Sequence, residues 1–221
     1  EISACLVGSE MCIRDREMAY CFVSEFEINA KVKEAWKVKS TWMGRQVSTT
    51  TFTGSLSLPT VEEILLQKTK LYIDATGGTI GTTLKSNTLL GFKLSMKGLV
   101  MPVFAGDGNL HFSFVKAVTP EIKLDVTFEH DGTAVAEKAF MKTRAVRLLR
   151  LLAQGAALGT AGTTYTYKTA QIDLAGQWES FKTLDSQDGN DVVTGTFRVG
   201  YSSADALAAK FLIVNELSAL P

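Results

Sequence analysis

Histidine, cysteine and proline are scarce in this sequence, and each scarcity excludes a class of protein. The 221 residues include 2 His, 3 Cys and 4 Pro. So few histidines and cysteines leave little material for a zinc site or a disulfide framework, and they fit a reducing compartment. The apolar runs are only a few residues long, far below the roughly 20 that a membrane-spanning helix needs. We therefore expect no cofactor, no metal and no membrane partner.

An excess of charge of either sign is also missing. The chain has 23 basic and 23 acidic residues, and no run of Lys and Arg creates a local basic segment. Binding to nucleic acid or to an anionic membrane surface depends on such a positive field. General binding of DNA, RNA or membrane surfaces is therefore excluded as the main activity.

The first residues look foreign to the rest of the chain. The segment EISACLVGSEMCIRDR, residues 1–16, contains Cys5 and Cys12 and has no basic start or long apolar run of the kind that marks a signal peptide. Its part CLVGSEMCIRDR resembles a sequencing adapter translated as if it were coding. We expect residues 1–16 to be an artefactual leader and residues 17–221 to form a single β domain, in which Cys21 is a small buried hydrophobe.

Threonine and glycine are abundant, with 24 and 18 residues, and they favour pleated strands joined by tight turns. Apolar residues alternate with polar ones at period two, which is typical of half-buried strands. The sequence therefore predicts a mainly β fold, an antiparallel β-sandwich or barrel of two packed sheets with one or two short flanking α-helices. The predicted strands include residues 20–28, 51–58, 110–116, 122–128, 164–174, 177–182, 192–201 and 210–216.

Two helices and one ambiguous segment interrupt these strands. Thr60 and Glu63 form a possible capping box, which predicts a helix over residues 60–70. Residues 133–142 are rich in alanine and predict a second helix. The segment RAVRLLRLLAQG, residues 144–155, fits a helix or a strand, and we favour the strand.

No motif in the chain predicts catalysis. The loop GGTIGTT lacks the lysine that a phosphate-binding loop carries before its last Ser or Thr, since the nearest is Lys85. No serine-hydrolase elbow is present. Glu129, His130 and Asp131 alternate between the faces of a strand, and His111 has no ligand-like neighbour. Aspartates 185, 188 and 191 do not follow the calcium-loop pattern. We therefore expect a protein that is not an enzyme.

Tryptophan leaves two interpretations open. Trp36, Trp42 and Trp178 could stack on sugars, which would make the chain a β-sandwich carbohydrate-binding or adhesin module. More often, tryptophan belongs to a core or to a subunit contact. A small β-barrel enzyme would need a polar pocket that the sequence does not reveal.

The order of several segments resembles a bacteriophage tail tube protein, the major tail protein of long-tailed phages. The resemblance covers about residues 20–221 and rests on WMGRQVSTTTFTGSLSLPTVEEILL, FEHDGTAVAEKAF, YTYKTAQIDLAGQWESFKTLDSQDGNDVVTGTFRVGY and FLIVNELSALP. It implies a structural virion protein that assembles with itself into hexameric rings, which stack into a tube that conducts DNA without sequence-specific binding. It also implies contacts with other tail proteins, location in the virion tail and assembly in the host cytoplasm. An N-terminal arm used for ring contacts in that family is expected to be truncated here.

The glycine-rich loop, residues 74–87, is the predicted self-association element. Its glycines permit unusual backbone angles but raise the entropy lost on ordering. We expect the loop to be exposed and mobile in the isolated subunit and to be ordered by a neighbour, the alternative being a turn without a partner. The residues predicted to make the contact are Gly77, Gly78, Ile80, Gly81 and Leu84.

Overall fold

The computed structural model describes residues 15–50 and 62–216, which form fifteen β-strands, one α-helix and one 3-10 turn at Leu66–Lys68. The helix is α1 (Gly132–Lys142). The strands, in chain order, are β1 (Asp15–Ala19), β2 (Phe22–Lys31), β3 (Lys37–Met43), β4 (Gln46–Thr50), β5 (Thr69–Ala75), β6 (Leu84–Lys85), β7 (Leu89–Lys97), β8 (Val100–Val103), β9 (Phe114–Ala117), β10 (Glu121–Glu129), β11 (Arg147–Ala157), β12 (Tyr167–Phe181), β13 (Asp185–Gln187), β14 (Asn190–Val199) and β15 (Ala209–Val214).

One antiparallel sheet of eleven strands dominates the molecule. Its strand order is β3-β2-β7-β10-β14-β12-β11-β5-β6, with β13 added to β14 and β15 added to β12. Two short ribbons, β1–β4 and β8–β9, complete the described strands. The mainly β, antiparallel sandwich-like or barrel-like class is confirmed. The two layers that the sequence predicted are, however, parts of a single continuous sheet.

Strand β12 connects the two layers because it is long enough to have different partners at its two ends. Along one edge, residues 169–174 pair with β15 and residues 176–181 pair with β14. Gly176 lies at the changeover, where a Cβ atom would collide with the carbonyl oxygen of Arg198. A glycine is therefore required for the close approach of the two strands.

The core fills the space between the layers with residues that alternate along the strands. Leu124, Val126 and Phe128 of β10 are fully buried. They belong to the same apolar cluster as residues of β11 and β12 on the other layer. Trp178 packs edge-on against Phe197, with ring centroids 5.1 Å apart. These alternating side chains explain why the segments form strands with one face buried.

Helix α1 confirms the prediction for residues 133–142, with its start one residue earlier. The Asp131 carboxylate caps the helix by accepting a hydrogen bond from the Ala134 backbone N–H at 2.9 Å. Asp131 is therefore the cap of the helix, and Gly132 is its first residue. The ambiguous segment after the helix is β11, as favoured.

The predicted helix over residues 60–70 is wrong in its described part. Residues 62–64 have no regular structure, Leu65 forms an isolated bridge with Ala35, and β5 begins at Thr69. The backbone of this segment is held by another part of the chain, since Leu66 N–H donates to the Glu34 carbonyl at 3.1 Å. Pairing with the β2–β3 turn therefore overrides the helical start signal. Thr60 and the predicted strand 51–58 lie outside the described residues.

Two further boundaries differ from the predictions. Residues 110–113 are not in a strand: Leu110 is exposed, and Phe112 is buried with its ring edge-on to Phe22 and Phe104. The period-two pattern there therefore did not mark a strand before Phe114. Strand β1 begins at Asp15, inside the predicted leader, because its backbone pairs with β4 from that residue onwards.

Candidate functional site

The outer strands β3 and β15 combine incomplete pairing with exposed apolar side chains. Among the described strands, β3 pairs with β2 alone and β15 with β12 alone. Val38 and Trp42 on β3 are 63% and 56% exposed, and Ile213 on β15 is 75% exposed. An outer strand with exposed apolar groups is a template for association. The alternation of these residues was visible in the sequence, but their exposure was not.

The five strands from β3 to β14 share an outward face that is polar apart from Gly91 and the buried Val192, which pairs with Glu129. We call it the polar face. Its residues follow from the register of the strands, in which directly paired residues point to the same side. Three of its rows are Lys37–Asn29–Lys93–Asp125–Thr196, Lys39–Glu27–Ser95–Lys123–Arg198 and Thr41–Glu25–Lys97–Glu121. All side chains in these three rows are exposed or half-buried.

Charges on the polar face are arranged as neighbouring pairs of opposite sign. Lys93 Nζ lies 2.8 Å from Glu27 Oε2, and Lys123 Nζ lies 3.1 Å from Glu121 Oε1. The hydrogen bond from Lys93 is the largest of the effects that lower the pKa of Glu27. The Glu121 carboxylate likewise raises the pKa of Lys123. Glu27 and Lys123 are therefore both charged at neutral pH.

The second layer includes β5, β11 and the first part of β12. Loops cover its outward face. Asp74, Leu148 and Asp173 project from its strands and are at most 5% exposed. Arg150 bonds to Asp173 through two hydrogen bonds of 2.6 and 2.8 Å. Gly81 of the glycine-rich loop lies on top of the Arg150 guanidinium. Within the described residues the two faces therefore differ, since the residues in the rows of the polar face are exposed or half-buried.

The glycine-rich loop is anchored at both ends by carboxylates. The Asp74 carboxylate accepts hydrogen bonds from the backbone N–H groups of Gly81, Thr82 and Thr83 at 2.7, 3.2 and 2.7 Å. At the start of the loop, the Gly77 N–H donates to Asp205 at 2.9 Å. These bonds order the loop within one subunit. The expectation that a neighbour must order it is therefore not supported by its geometry.

The protonation state of Asp74 follows from these contacts. Burial alone would raise the pKa of Asp74, but the hydrogen bonds from Thr83, Gly81 and Thr82 outweigh it and lower the pKa. The same direction holds for Asp205, whose pKa is lowered by hydrogen bonds from Ser202, Thr76 and Gly77. Both anchors are therefore anionic at neutral pH.

The predicted self-association residues all lie on this one loop. Gly77, Gly78 and Leu84 are exposed, whereas Ile80 and Gly81 are half-buried. Leu84 belongs to β6, which pairs with β5. Their role in self-association stays a prediction.

The other residues that the sequence drew attention to have structural contacts. Trp178 is buried in the core, and Trp36 packs against Phe92 with its Nε1–H donated to Thr69. Trp42 is exposed. His111 accepts a hydrogen bond from Arg45 at 3.2 Å, which ties the β8–β9 loop to the β3–β4 connection. Within residues 15–50 and 62–216, no three His, Cys, Asp or Glu side chains converge in a way that could hold a metal ion.

A groove of about 600 Å³ lies where residues 62–68 pass the ends of β11, β12 and β15. Its described apolar lining includes Ile64, Ala153, Ala170 and Ile213. Charged groups at its rim bond to one another, as in the 3.1 Å pair of Lys168 and Glu216. The groove extends the apolar surface of β15.

Comparisons with protein-family models and with curated proteins found no match. None of the helices among the described residues has the length and apolar character needed to cross a bilayer.

Proposed function

We propose that this protein is the subunit of a self-assembling tube, the tail tube of a long-tailed bacteriophage, and that it has no enzymatic activity. Six copies would close into a ring, and stacked rings would form a conduit for DNA in the virion tail, in contact with other tail proteins. Assembly would take place in the host cytoplasm. The resemblance of the segment order to tail tube proteins supports this proposal.

The exposed apolar side chains on the outer strands β3 and β15 are the structural observation that carries the proposal. Because β3 and β15 are different surfaces, contact between β3 of one copy and β15 of the next leaves one strand of each kind available for a further copy. Such head-to-tail contacts generate closed rings or open filaments. The exposed Val38 and Trp42 on one strand and Ile213 on the other would supply apolar burial in the contact.

Negative-stain electron microscopy of the full chain at high concentration tests this proposal directly. Rings or tubes are the expected result, and light scattering after gel filtration gives the number of copies per ring. Particles that remain monomeric at every concentration would contradict it.

A charged substitution at an outer strand tests the role of that strand. Ile213→Lys places an ammonium group within the apolar contact and should prevent assembly, while the melting temperature of the monomer stays unchanged because the side chain is exposed. Val135→Lys, on the exposed side of α1, is the matched control and should assemble normally. Equal assembly of both variants would show that β15 is not an interface.

The alternative function is a β-sandwich carbohydrate-binding or adhesin module, which would need an exposed tryptophan to stack on a sugar. Of the three tryptophans, Trp42 is the one that is exposed. Its Nε1–H, however, is donated to Ser40 on the same strand at 2.8 Å. A glycan array separates the two functions, since specific binding that is lost in Trp42→Ala would favour the carbohydrate-binding module.

A further inference from the structure

We infer that two copies of this chain dock end to end, and that the tip of the β8–β9 ribbon of one copy fills the apolar groove of the next. The tip is the loop of residues 104–113 between β8 and β9. The groove lies beside residues 62–68, at the ends of β11, β12 and β15. The inference rests on the proposed function for self-association, and it adds a second contact to the one between β3 and β15.

The tip presents apolar side chains to solvent from a loop that its own hydrogen bonds hold in place. Leu110 is the most exposed of the large apolar side chains that the structure describes, with an exposed fraction of 101%, and Phe104 is 67% exposed. The Ser113 backbone N–H donates to the Val103 carbonyl at 2.8 Å, and the Ala105 N–H donates to the Ser113 hydroxyl at 3.1 Å. The loop is therefore ordered before it meets a partner, which lowers the entropy cost of binding.

The exposed apolar surface of the ribbon is large enough for a contact between copies. Met101 and Phe114, which the register places on one side of the ribbon, are also more than half exposed. Together with Phe104 and Leu110, they expose on the order of 500 Å² of apolar surface, taking about 150 to 250 Å² for a large side chain. Weak and transient interfaces bury less than about 1,200 Å² in total, which is about 600 Å² per partner. The ribbon alone therefore supplies the area of such a contact.

The groove has the size and the lining to receive these side chains. Its volume of about 600 Å³ lies within the range of about 300 to 1,000 Å³ of pockets that hold a small ligand, so it has room for two large side chains. Ala153, Ala170 and Ile213 form one row across β11, β12 and β15. The next row on the same face carries Leu151 and Ile172, which belong to the core. The two alanines therefore leave a hollow beside Ile213, and an apolar side chain from outside would complete the core there.

The tip and the groove lie at opposite ends of the molecule, which favours head-to-tail docking. The ribbon contacts the beginning of β2, where the rings of Phe22 and Phe112 lie edge-on at 6.4 Å. Residues 62–68 contact the turn after β2, since the Trp36 N–H donates to the Ile64 carbonyl at 2.7 Å. The ten residues of β2 separate these ends by about 33 Å, so the tip does not reach the groove of its own copy. Head-to-tail contacts repeat from copy to copy, and contacts at opposite ends build a stack.

Cross-linking between two singly labelled chains tests the contact. The three native cysteines are first changed to serine, and Leu110→Cys and Ile64→Cys are then made in separate chains. With a short bismaleimide, we expect covalent dimers in the equimolar mixture and at least tenfold fewer in either chain alone. Equally abundant dimers in Leu110→Cys alone would indicate contact between two tips and would overturn the inference. A mixture without cross-linked dimers overturns it as well.

Polar substitutions at the tip separate this contact from the one between β3 and β15. The double variant Phe104→Ser with Leu110→Ser should raise the protein concentration needed for tubes at least tenfold, as seen by sedimentation and electron microscopy, while single rings still form. Its melting temperature should stay at the native value, because both side chains are exposed. The matched control, Val135→Ser with Leu184→Ser, removes two other exposed apolar groups and should form tubes like the native chain.

The two proposals fail in different ways. Tubes formed equally well by the tip variant and the control variant overturn this inference and leave the proposed function intact. A native chain that forms neither rings nor tubes contradicts the proposed function, while the cross-linking of the mixed chains still decides whether the tip meets the groove. The cross-linking also decides if the tip variant does not fold.

Discussion

Glu137 on α1 and Arg147 at the start of β11 form a buried ion pair through two hydrogen bonds. Arg147 Nη2 donates to Glu137 Oε1 at 2.9 Å, and Arg147 Nε donates to Oε2 at 3.1 Å. Trp178 Nε1–H donates to the same Oε2 at 2.9 Å, and the Phe140 ring lies under the guanidinium. The pair therefore fastens the helix to the sheet, and every polar atom of the carboxylate has a partner.

Removing one charge of this pair should be strongly destabilising. Glu137→Ala leaves the Arg147 guanidinium buried without a counter-ion, which should lower the free energy of unfolding by about 3 to 5 kcal/mol. Urea denaturation measures the change. The double variant Glu137→Leu with Arg147→Met should recover most of the loss, because it removes both charges together. Equal stability of Glu137→Ala and the native chain would show that the pair contributes nothing.

Asp74 should control the order of the glycine-rich loop. In Asp74→Asn, the single carbonyl oxygen of the amide cannot accept from all three backbone N–H groups, so we expect a loss of about 1 to 3 kcal/mol. Hydrogen exchange of Gly81, Thr82 and Thr83 should accelerate, while exchange of β10 is unchanged. Exchange as slow as in the native chain would contradict the anchoring role.

The anchoring also predicts the effect of deleting the loop. Without residues 77–83, the buried Asp74 carboxylate loses its hydrogen-bond donors. A buried charge without donors destabilises the folded monomer. We therefore expect the deletion to lower the melting temperature as well as to affect assembly. The deletion paired with Asp74→Ala should recover part of the loss.

Acid should release the loop only below the ordinary titration range of aspartate. The folded-state pKa of Asp74 is depressed, so its stabilising contribution is present above the unfolded-state value of about 3.9 and is lost as the pH falls through the lower folded-state value. Amide chemical shifts of Gly81 and Thr83 should therefore change with a midpoint below about pH 3.9. Asp74→Asn should abolish that transition, and a midpoint near pH 5 would refute the assignment.

Glycine substitutions in the loop separate backbone strain from steric overlap. Gly81 has φ +89° and lies against Arg150, so Gly81→Ala should cost more than the about 1 kcal/mol of the backbone angle alone. Gly77 has φ +75° with open space around it, and Gly77→Ala should show the backbone cost only. Gly106→Ala, where a Cβ meets no atom within 4 Å, should be neutral. Thermal unfolding of the three variants gives the comparison.

Local pattern was enough to determine the class of the fold and several of its elements. Period-two alternation predicted β10, and alanine-rich residues predicted α1, because both signals depend on neighbours along the chain. An Asp-Gly pair is a local signal of the same kind for a tight turn, and Asp188 and Gly189 both have the positive φ that such a turn needs.

Only the tertiary structure decided the partners that lie far apart in sequence. The segment before β5 pairs with the β2–β3 turn in place of a helix, and Arg147 and Arg150 find Glu137 and Asp173 on other elements. The open polar face and the exposed outer strands likewise depend on which strands lie side by side and on which loops cover them. Such contacts join residues that local periodicity does not relate, because burial and electrostatic pairing are settled by packing of the whole sheet.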